Sequence, residues 1–237
     1  MSAGSWPVEF AEGTAQELQD LDTGARRSIR VNRVVRPAIV LGSRQDSSRL
    51  SREGLTGIDL ATRRTGGAAM WLEPGAQVWI DLVVPRGDPF HRDDVGEASR
   101  LAGRLWSAVL GAPTRVWSGG MSAPRAQELA CFAGVGPGEV VVGRRKLVGI
   151  SQRRTARCSR IQCVAYLRWE PAGLLRALGL GADGPRDELG AQVRRSLVDG
   201  VAVIGDPRTE SRLGAGVPDP RDADARVARS FRELLDR

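Results

Sequence analysis

The stretch EVVVGRRKLVGISQRRTARCSRIQCVAYLRW, residues 139–169, decides the class of fold. It holds three apolar or alternating runs, separated by polar or turn-forming residues, and each run has the length of a β-strand. Strand-like runs that follow one another closely, with no helical segment between them, favour antiparallel pairing. The stretch therefore predicts part of a mainly antiparallel or mixed sheet.

A second group of strand-like runs lies nearer the amino terminus. Its members are SIRVNRVV (28–35), PAIVLG (37–42), IDLATRRT (58–65), AAMWL (68–72) and QVWIDLVVP (77–85). Short turns join the last three, which predicts an antiparallel meander. A further strand is predicted at ELACFAG, residues 128–134.

Helical patterns flank both groups of strands. Thr14, with Glu17 three residues later, caps a predicted helix over 14–25. Asp93 or Asp94 caps a longer helix that ends near residue 111, whose apolar stripe is expected to face the core. The members of that stripe are Val95, Leu101, Leu105, Trp106, Val109 and Leu110. Helices are also predicted at 171–180, 187–201 and 224–237, with a polar turn at 206–222. The fold class is α+β, because no regular strand–helix–strand alternation occurs.

Composition excludes several classes of protein. The 237 residues are 41% hydrophobic and 27% charged, as in ordinary globular proteins. No apolar run approaches the roughly 18 residues of a membrane helix, and the amino terminus lacks a signal-peptide pattern, so we expect a cytoplasmic protein. The three cysteines contain no CxxC pair, and the single histidine, His91, lies in a turn-like segment. These features disfavour a disulfide framework, a zinc knuckle and a His-rich metal centre.

The charge distribution is strongly basic and uneven. The net charge is +7, and of the 35 lysines and arginines only Lys146 is a lysine. Seven basic residues and no acid lie between residues 143 and 160: Arg144, Arg145, Lys146, Arg153, Arg154, Arg157 and Arg160. The net charge fits an acidic protein partner, a phosphorylated ligand or nucleic acid, and the run itself is typical of a solvated face or a nucleic-acid patch. Nucleic acid is disfavoured, because the run contains no aromatic residue for stacking on bases.

The single lysine has either a compositional or a chemical explanation. An arginine-rich chain could retain one lysine by chance. Alternatively, a site could require a narrow, flexible ammonium where a planar guanidinium does not fit. A second segment, RRTGGAA (63–69), bears on this choice, because adjacent glycines admit a ligand close to the backbone and arginines bind its oxygens. Taken alone, that segment is a plain hairpin turn.

Together, RRTGGAA and GRRKLVGISQRR (143–154) resemble the lipoate-protein ligase A and octanoyl transferase family, which is related to biotin-protein ligases. Members carry an RR pair, a glycine loop, and later a G-R-K-x-x-G strand with a catalytic lysine. VLGSRQD (40–46) resembles the V-x-G-x-x-Q segment of the family. The similarity extends in order from the amino-terminal helix to about Pro171.

The resemblance implies a biotin/lipoate ligase fold, of the class II synthetase type, and a lipoate-protein ligase activity. Lipoate (or octanoate) and ATP would form an acyl-adenylate, and the acyl group would pass to a lysine of a lipoyl domain. Lys146 would be the catalytic residue, bridging the acyl carbonyl and the phosphate. The residues expected to bind substrate or adenylate are Arg63, Arg64, Thr65, Gly66, Gly67, Ala68, Gly149, Ser151 and Gln45.

The resemblance also implies cofactors and partners. Mg²⁺ would accompany ATP, with unassigned ligands; Asp81 and Glu139 are the acidic residues near the matched segments. The partners would be lipoyl domains of 2-oxoacid dehydrogenase complexes or the glycine cleavage H protein, with no membrane. Residues 1–237 are expected to form one catalytic domain with a helical end from about 170, and without a full accessory domain.

The sequence departs from the family pattern at several positions, which keeps alternatives open. Thr65 replaces a serine, Ala68 replaces a third glycine, and Cys163-Val164 stand where the family has histidine and glycine. One alternative is a transferase that uses no ATP and passes the acyl group through a cysteine, with Cys158 and Cys163 as candidates. The others are a non-catalytic member of the family and a nucleic-acid-binding module.

Overall fold

The structure is a computed structural model, and it describes residues 5–22, 24–111, 113–181, 187–205 and 219–237. The strands are β1 Val8–Gly13, β2 Ser28–Val34, β3 Ala38–Leu41, β4 Asp59–Thr62, β5 Met70–Leu72, β6 Gln77–Pro85, β7 Thr114–Val116, β8 Val140–Val142, β9 Arg145–Arg154 and β10 Cys158–Tyr166. The α-helices are α1 Ala15–Asp20, α2 Val95–Leu110, α3 Pro124–Gln127, α4 Ala172–Ala177, α5 Glu188–Asp199 and α6 Pro220–Leu235.

Within the described ranges the strands form two sheets. The larger sheet has seven strands in the order β1-β2-β6-β10-β9-β8-β7, and the smaller has three in the order β4-β3-β5. Only β1 and β2 pair in parallel in the larger sheet, whereas β2, β6, β10, β9, β8 and β7 pair antiparallel in turn. The α+β class and the mixed, mainly antiparallel sheet predicted from the sequence are confirmed.

Each face of the larger sheet is covered by a different layer. On one face α2 and α6 pack together and against the strands, with the rings of Trp106 and Phe231 in edge contact at 5.1 Å. On the other face lie α1, the small sheet and the segment around a 3₁₀ turn at Cys131–Ala133. Two apolar cores therefore sandwich the sheet, and the second core surrounds the candidate site.

The amphipathic helices begin where their caps predict. The Thr14 side chain accepts from the Glu17 backbone N–H at 3.3 Å, and the Glu17 carboxylate accepts from the Thr14 backbone at 2.8 Å, which is a capping box. Asp94 caps α2. Two expectations are wrong in detail: α1 already ends at Asp20, and Val95 is 54% exposed because it lies in the first turn of α2, outside the apolar stripe.

The predicted meander and one predicted strand are also wrong. Strands β4 and β5 do not pair with each other, because β3 lies between them, and β6 joins the larger sheet. The segment at residues 128–134 is not a strand: α3 begins at Pro124, a residue suited to a first helical turn, and the chain continues into the 3₁₀ turn. The polar turn predicted at 206–222 lies outside the described residues from 206 to 218, and it is wrong at 220–222, because Asp219 caps α6, which begins at Pro220 rather than at residue 224.

Candidate active site

The glycine loop, residues 65–68, connects β4 to β5 across the end of the small sheet and is therefore not a hairpin turn. Gly67 has a φ of +100°, which favours glycine. Gly42 packs so closely beneath the loop that a Cβ atom there would lie 1.8 Å from the Gly67 carbonyl oxygen. These two positions require glycine because of backbone geometry and backbone contact.

The two arginines before the loop have different environments. Arg63 is buried, and its guanidinium donates to the carbonyls of Gly66 at 3.2 Å and Ala68 at 2.9 Å, so it supports the loop from inside. Arg64 is exposed, with its guanidinium 3.5 Å from the carboxylate of Asp20. Arg64 is thus the member of the pair whose charge is open to a ligand.

The glycine loop meets the lysine strand at one hydrogen bond. The hydroxyl of Thr65 donates to that of Ser151 on β9 at 3.3 Å. Gly149, on the same strand, packs under the ring of Phe132, where a Cβ atom would lie 2.9 Å from a ring carbon. The two segments that resemble the family therefore adjoin in space.

A small cavity lies where these segments meet. It is lined by Gln19, Arg63, Met70, Trp79, Cys131, Gly149, Ile150, Ser151, Gln162 and Val164. Its volume of about 20 Å³ accommodates roughly one water molecule. An acyl chain can therefore enter only if a lining side chain moves, and Met70 is the flexible apolar member of the set.

Lys146 contacts Cys131, one of the residues that line this cavity, and is almost completely buried, with 1% of its surface exposed. Its ammonium is 2.7 Å from a carboxylate oxygen of Glu139 and donates to the backbone carbonyls of Cys131 at 2.8 Å and Gly134 at 3.3 Å. Burial alone lowers the pKa of Lys146, but the neighbouring Cys131 and Glu139 outweigh burial and raise it above its ordinary value. The site therefore holds one fixed, desolvated positive charge.

Gln45 has a supporting position. Its side-chain oxygen accepts from the Gly42 N–H at 3.1 Å, and its amide nitrogen donates to the carbonyls of Glu128 at 3.0 Å and Leu129 at 3.3 Å. Gln45 and Gly67 also line a groove of about 830 Å³, whose lining shares no residue with the small cavity. Gln45 thus ties Gly42, which packs beneath the glycine loop, to the segment that precedes Cys131.

The three cysteines are free and differ in accessibility. Cys158 and Cys163 are buried, and burial raises the pKa of Cys163 to about 12. Cys131 is only half-buried, lines the small cavity, and has its sulfur 3.8 Å from the Lys146 ammonium. The cysteine nearest the candidate site is therefore neither of the two that the sequence reasoning considered as a nucleophile.

Asp81 and Glu139, the two acidic residues considered near the matched segments, are both engaged. Asp81 is fully buried, accepts from the Trp79 indole at 2.9 Å and pairs with Arg160 at 2.6 Å. Glu139 pairs with Lys146. No group of three or more His, Cys, Asp or Glu residues suited to a metal ion occurs in the described part of the chain. These carboxylates do not fit a protein-built Mg²⁺ site.

The basic run is not one continuous exposed patch. Lys146 and Arg160 are buried in ion pairs, whereas Arg144 and Arg157 are exposed. In addition, no helix among the described residues is long and apolar enough to cross a membrane.

Several solved structures have the same fold as this chain. A putative lipoate protein ligase from T. acidophilum with bound lipoic acid is 16% identical and has a TM-score of 0.66, covering 98% of this chain and 86% of that one. A bi-partite lipoate protein ligase from Thermoplasma acidophilum, studied with its E2 lipoyl domain, is 16% identical with a TM-score of 0.65, covering 97% and 84%. A lipoate-protein ligase A bound with ATP is 15% identical with a TM-score of 0.55, covering 99% and 95%. The fold is that of the lipoate ligases.

A comparison of the sequence with family models identifies the family of the chain. The profile of the biotin/lipoate A/B protein ligase family matches residues 41–167, more than half of the chain. The chain belongs to the biotin/lipoate A/B protein ligase family, which confirms the resemblance seen in its motifs. It therefore belongs to an enzyme family made up of biotin and lipoate ligases and transferases. No curated protein matches the chain by sequence.

Sequence reasoning missed two groups at the site, Cys131 and the pairing of Glu139 with Lys146. Cys131 lies in the segment 128–134, which the sequence predicts as a strand but which folds as a 3₁₀ turn that brings its sulfur near Lys146. The spacing of Glu139 and Lys146 gave no signal, since β8 lies between them and a bulge at Val140/Val141 shifts its register with β9.

Proposed function

We propose that this chain is a lipoate-protein ligase that uses ATP to activate lipoate or octanoate and transfers the acyl group to a lysine of a lipoyl domain. The observation that carries the proposal is the meeting of the glycine loop and the lysine strand at the Thr65–Ser151 hydrogen bond. Structures of the same fold bound to lipoic acid and to ATP support these two substrates.

The first step requires two anions to be held side by side. The acyl carboxylate attacks the α-phosphorus of ATP, and pyrophosphate leaves. A fixed cation stabilises the charge that develops on the phosphate and carbonyl oxygens, and little general-base chemistry is needed. In this proposal Lys146 provides that cation, exchanging a backbone carbonyl acceptor for a substrate oxygen, and exposed Arg64 binds the anion at the loop.

In the second step the lysine amine of the lipoyl domain attacks the acyl carbon, loses a proton, and releases AMP. The proposed partners are lipoyl domains of 2-oxoacid dehydrogenase complexes or the glycine cleavage H protein. Support comes from the lipoate ligase of the same fold that was studied with its E2 lipoyl domain. We further propose that residues 1–237 form one catalytic domain.

A mass measurement tests the proposal. A purified lipoyl domain is incubated with lipoate, Mg-ATP and either the wild type, Lys146→Ala or the control Arg144→Ala, which removes an exposed cation two residues away. We expect the wild type and the control to add one lipoyl group, and Lys146→Ala to add almost none. An inactive wild type with every acyl donor, or an unimpaired Lys146→Ala, contradicts the proposal.

One observation favours a second candidate, a transferase that needs no ATP. Cys131 lines the cavity with its sulfur 3.8 Å from the Lys146 ammonium, which places a thiol nucleophile next to the fixed cation of the site. The thiolate would attack the thioester of an acyl carrier protein and release the carrier thiol. The acceptor lysine would then attack the enzyme thioester and free Cys131.

The two candidates differ in their dependence on Cys131 and ATP. With octanoyl-carrier protein and no ATP, a transferase gains one octanoyl group that hydroxylamine removes, and Cys131→Ser abolishes both this species and the product. A ligase needs ATP and retains activity in Cys131→Ser.

A further inference from the structure

Glu139 is the most tightly held carboxylate at the candidate site. It is 6% exposed, and its two oxygens accept from different elements. One oxygen accepts from the backbone N–H of Ile150 at 3.2 Å and lies 2.7 Å from the Lys146 ammonium. The other accepts from the Gly136 N–H at 2.7 Å. The carboxylate is thus fixed by backbone donors on both sides.

The position of Glu139 links the Lys146 ammonium to the part of β9 that lines the small cavity. Ile150 lies between Gly149 and Ser151, both of which line the small cavity. The same oxygen of Glu139 therefore contacts both the cavity strand and the ammonium. A small shift of the carboxylate would move Lys146 relative to Gly149 and Ser151.

Burial of an ammonium normally favours loss of its proton. The titratable groups facing Lys146 are Glu139 and Cys131, and Tyr166 lies behind the ring of Phe132 at 4.9 Å. The Phe132 ring itself is 4.7 Å from the ammonium and adds a cation–π contact. Of these groups, Glu139 alone is a carboxylate in direct contact.

From this geometry we propose that Glu139 is a positioning residue, which keeps Lys146 charged and fixes its ammonium against the cavity strand. The inference rests on the role proposed for Lys146 above. Glu139 itself contacts no substrate and binds no metal. A purely structural ion pair would also favour the charged ammonium, but its loss would leave kcat of the correctly folded protein unchanged.

The first test uses the fact that Lys146 is the only lysine in the chain. Protein labelled with ¹⁵N-lysine gives one side-chain signal, whose titration reports the pKa of Lys146 directly. We expect Glu139→Gln to move this titration to lower pH, because the buried ammonium loses its counter-charge. An unchanged titration overturns the proposal, whether or not the protein is active with any acyl donor.

A matched control removes an ion pair elsewhere. Asp224, buried on α6, accepts from Arg33 with both carboxylate oxygens at 2.8 Å. Asp224→Asn therefore removes a carboxylate of similar burial, paired with a more exposed cation, without touching Lys146. We expect it to leave the lysine titration unchanged.

The second test measures catalysis. We expect Glu139→Gln to lower kcat by about tenfold or more with a smaller change in KM, because a misplaced cation affects the transition state most. The alkaline decline of kcat should begin at lower pH, since Lys146 acts only when protonated. In a Lys146→Met background, Glu139→Gln should cause no further loss. A further loss there, or an unchanged kcat in the single variant, overturns the proposal.

Glu139→Asp covers the case in which Glu139→Gln does not fold. It keeps the charge but draws the carboxylate back by one methylene. We expect the titration of Lys146 to stay nearer to that of the wild type than in any neutral variant, and kcat to fall. A wild-type kcat in a correctly folded Glu139→Asp contradicts the positioning role. An inactive wild type instead counts against the proposed function, while the titration still decides the pairing.

Discussion

Two buried ion pairs on the larger sheet look alike and differ in their surroundings. Arg160 pairs with Asp81 at 2.6 Å, and Lys146 pairs with Glu139 at 2.7 Å. The guanidinium of Arg160 also donates to the carbonyls of Leu18 at 2.8 Å and Gln19 at 2.9 Å, in the last turn of α1. The ammonium of Lys146 instead donates to loop carbonyls beside a cavity. Arg160 holds α1 against the sheet, whereas Lys146 lies next to the small cavity of the candidate site.

The comparison explains why the two cations differ in type. A rigid fork with several donors suits Arg160, because its acceptors are fixed and diverge in direction. Helix carbonyls at a carboxyl end have no partner within the helix, so Arg160 also satisfies α1. A narrow ammonium suits Lys146, because three acceptors and the Phe132 ring converge on one point. The single lysine thus occupies a position that a guanidinium would overfill.

The largest expected effect is on stability, at the arginine pair. Asp81→Asn leaves the buried guanidinium without its counter-charge, and we expect a loss of about 3–5 kcal/mol in the free energy of unfolding. Urea unfolding followed by tryptophan fluorescence measures this. If the free energy of unfolding falls only as much as on loss of an exposed ion pair, the Arg160–Asp81 pair does not have the structural role assigned to it.

The next effect is on activity, at the lysine pair. Lys146→Arg keeps the charge, but we expect the rate of acyl transfer to fall by about 10²–10³, because the larger guanidinium cannot place its charge at the same point. Overfilling the buried position should also cost about 1–3 kcal/mol of stability. The transfer rate is therefore measured well below the melting temperature.

The reverse exchange, Arg160→Lys, is the matched control. It loses the forked contacts to Asp81 and α1, so we expect lower stability but a transfer rate per folded molecule near that of the wild type. A fully active Lys146→Arg, or an inactive Arg160→Lys, contradicts the roles assigned to the two ion pairs.

Sequence reasoning reached the family and the fold class because these depend on local patterns. The capping box at Thr14, most of the strands and the two family segments, 63–69 and 143–154, are all recognisable in the sequence. It failed where pairing is non-local. Strand β3 lies between β4 and β5, and Gly42 at its end closely contacts Gly67, but no local turn signal encodes either the strand order or that contact. The chemistry around Lys146 was hidden for the same reason, since Cys131 and Glu139 approach it only after folding.

The cysteines extend the comparison from charge to reactivity. Cys131 lies beside the Lys146 ammonium and is half-buried, whereas Cys163 is fully buried and its pKa is raised to about 12. We expect iodoacetamide at pH 8 to modify Cys131 at least about tenfold faster than Cys163, because only the thiolate reacts. Peptide mass mapping over time measures both rates. Equal rates would show that the cavity is closed to small reagents, and would count against an acyl-binding role.

The smallest expected effect is at the contact that joins the lysine strand to the glycine loop. Thr65→Val keeps the shape of the side chain and removes the hydroxyl that donates to Ser151 at 3.3 Å. We expect a loss of about 0.5–1.5 kcal/mol in stability and a rise in KM for the acyl donor, since the loop would no longer be held against β9. In a Ser151→Ala background the same change should add almost nothing, because the hydrogen bond is already gone. Fully additive losses in the double variant would mean that the two hydroxyls act independently. The glycine loop would then be held by the contacts of Arg63, Gly42 and Ser43, and the lysine strand would be coupled to it by packing.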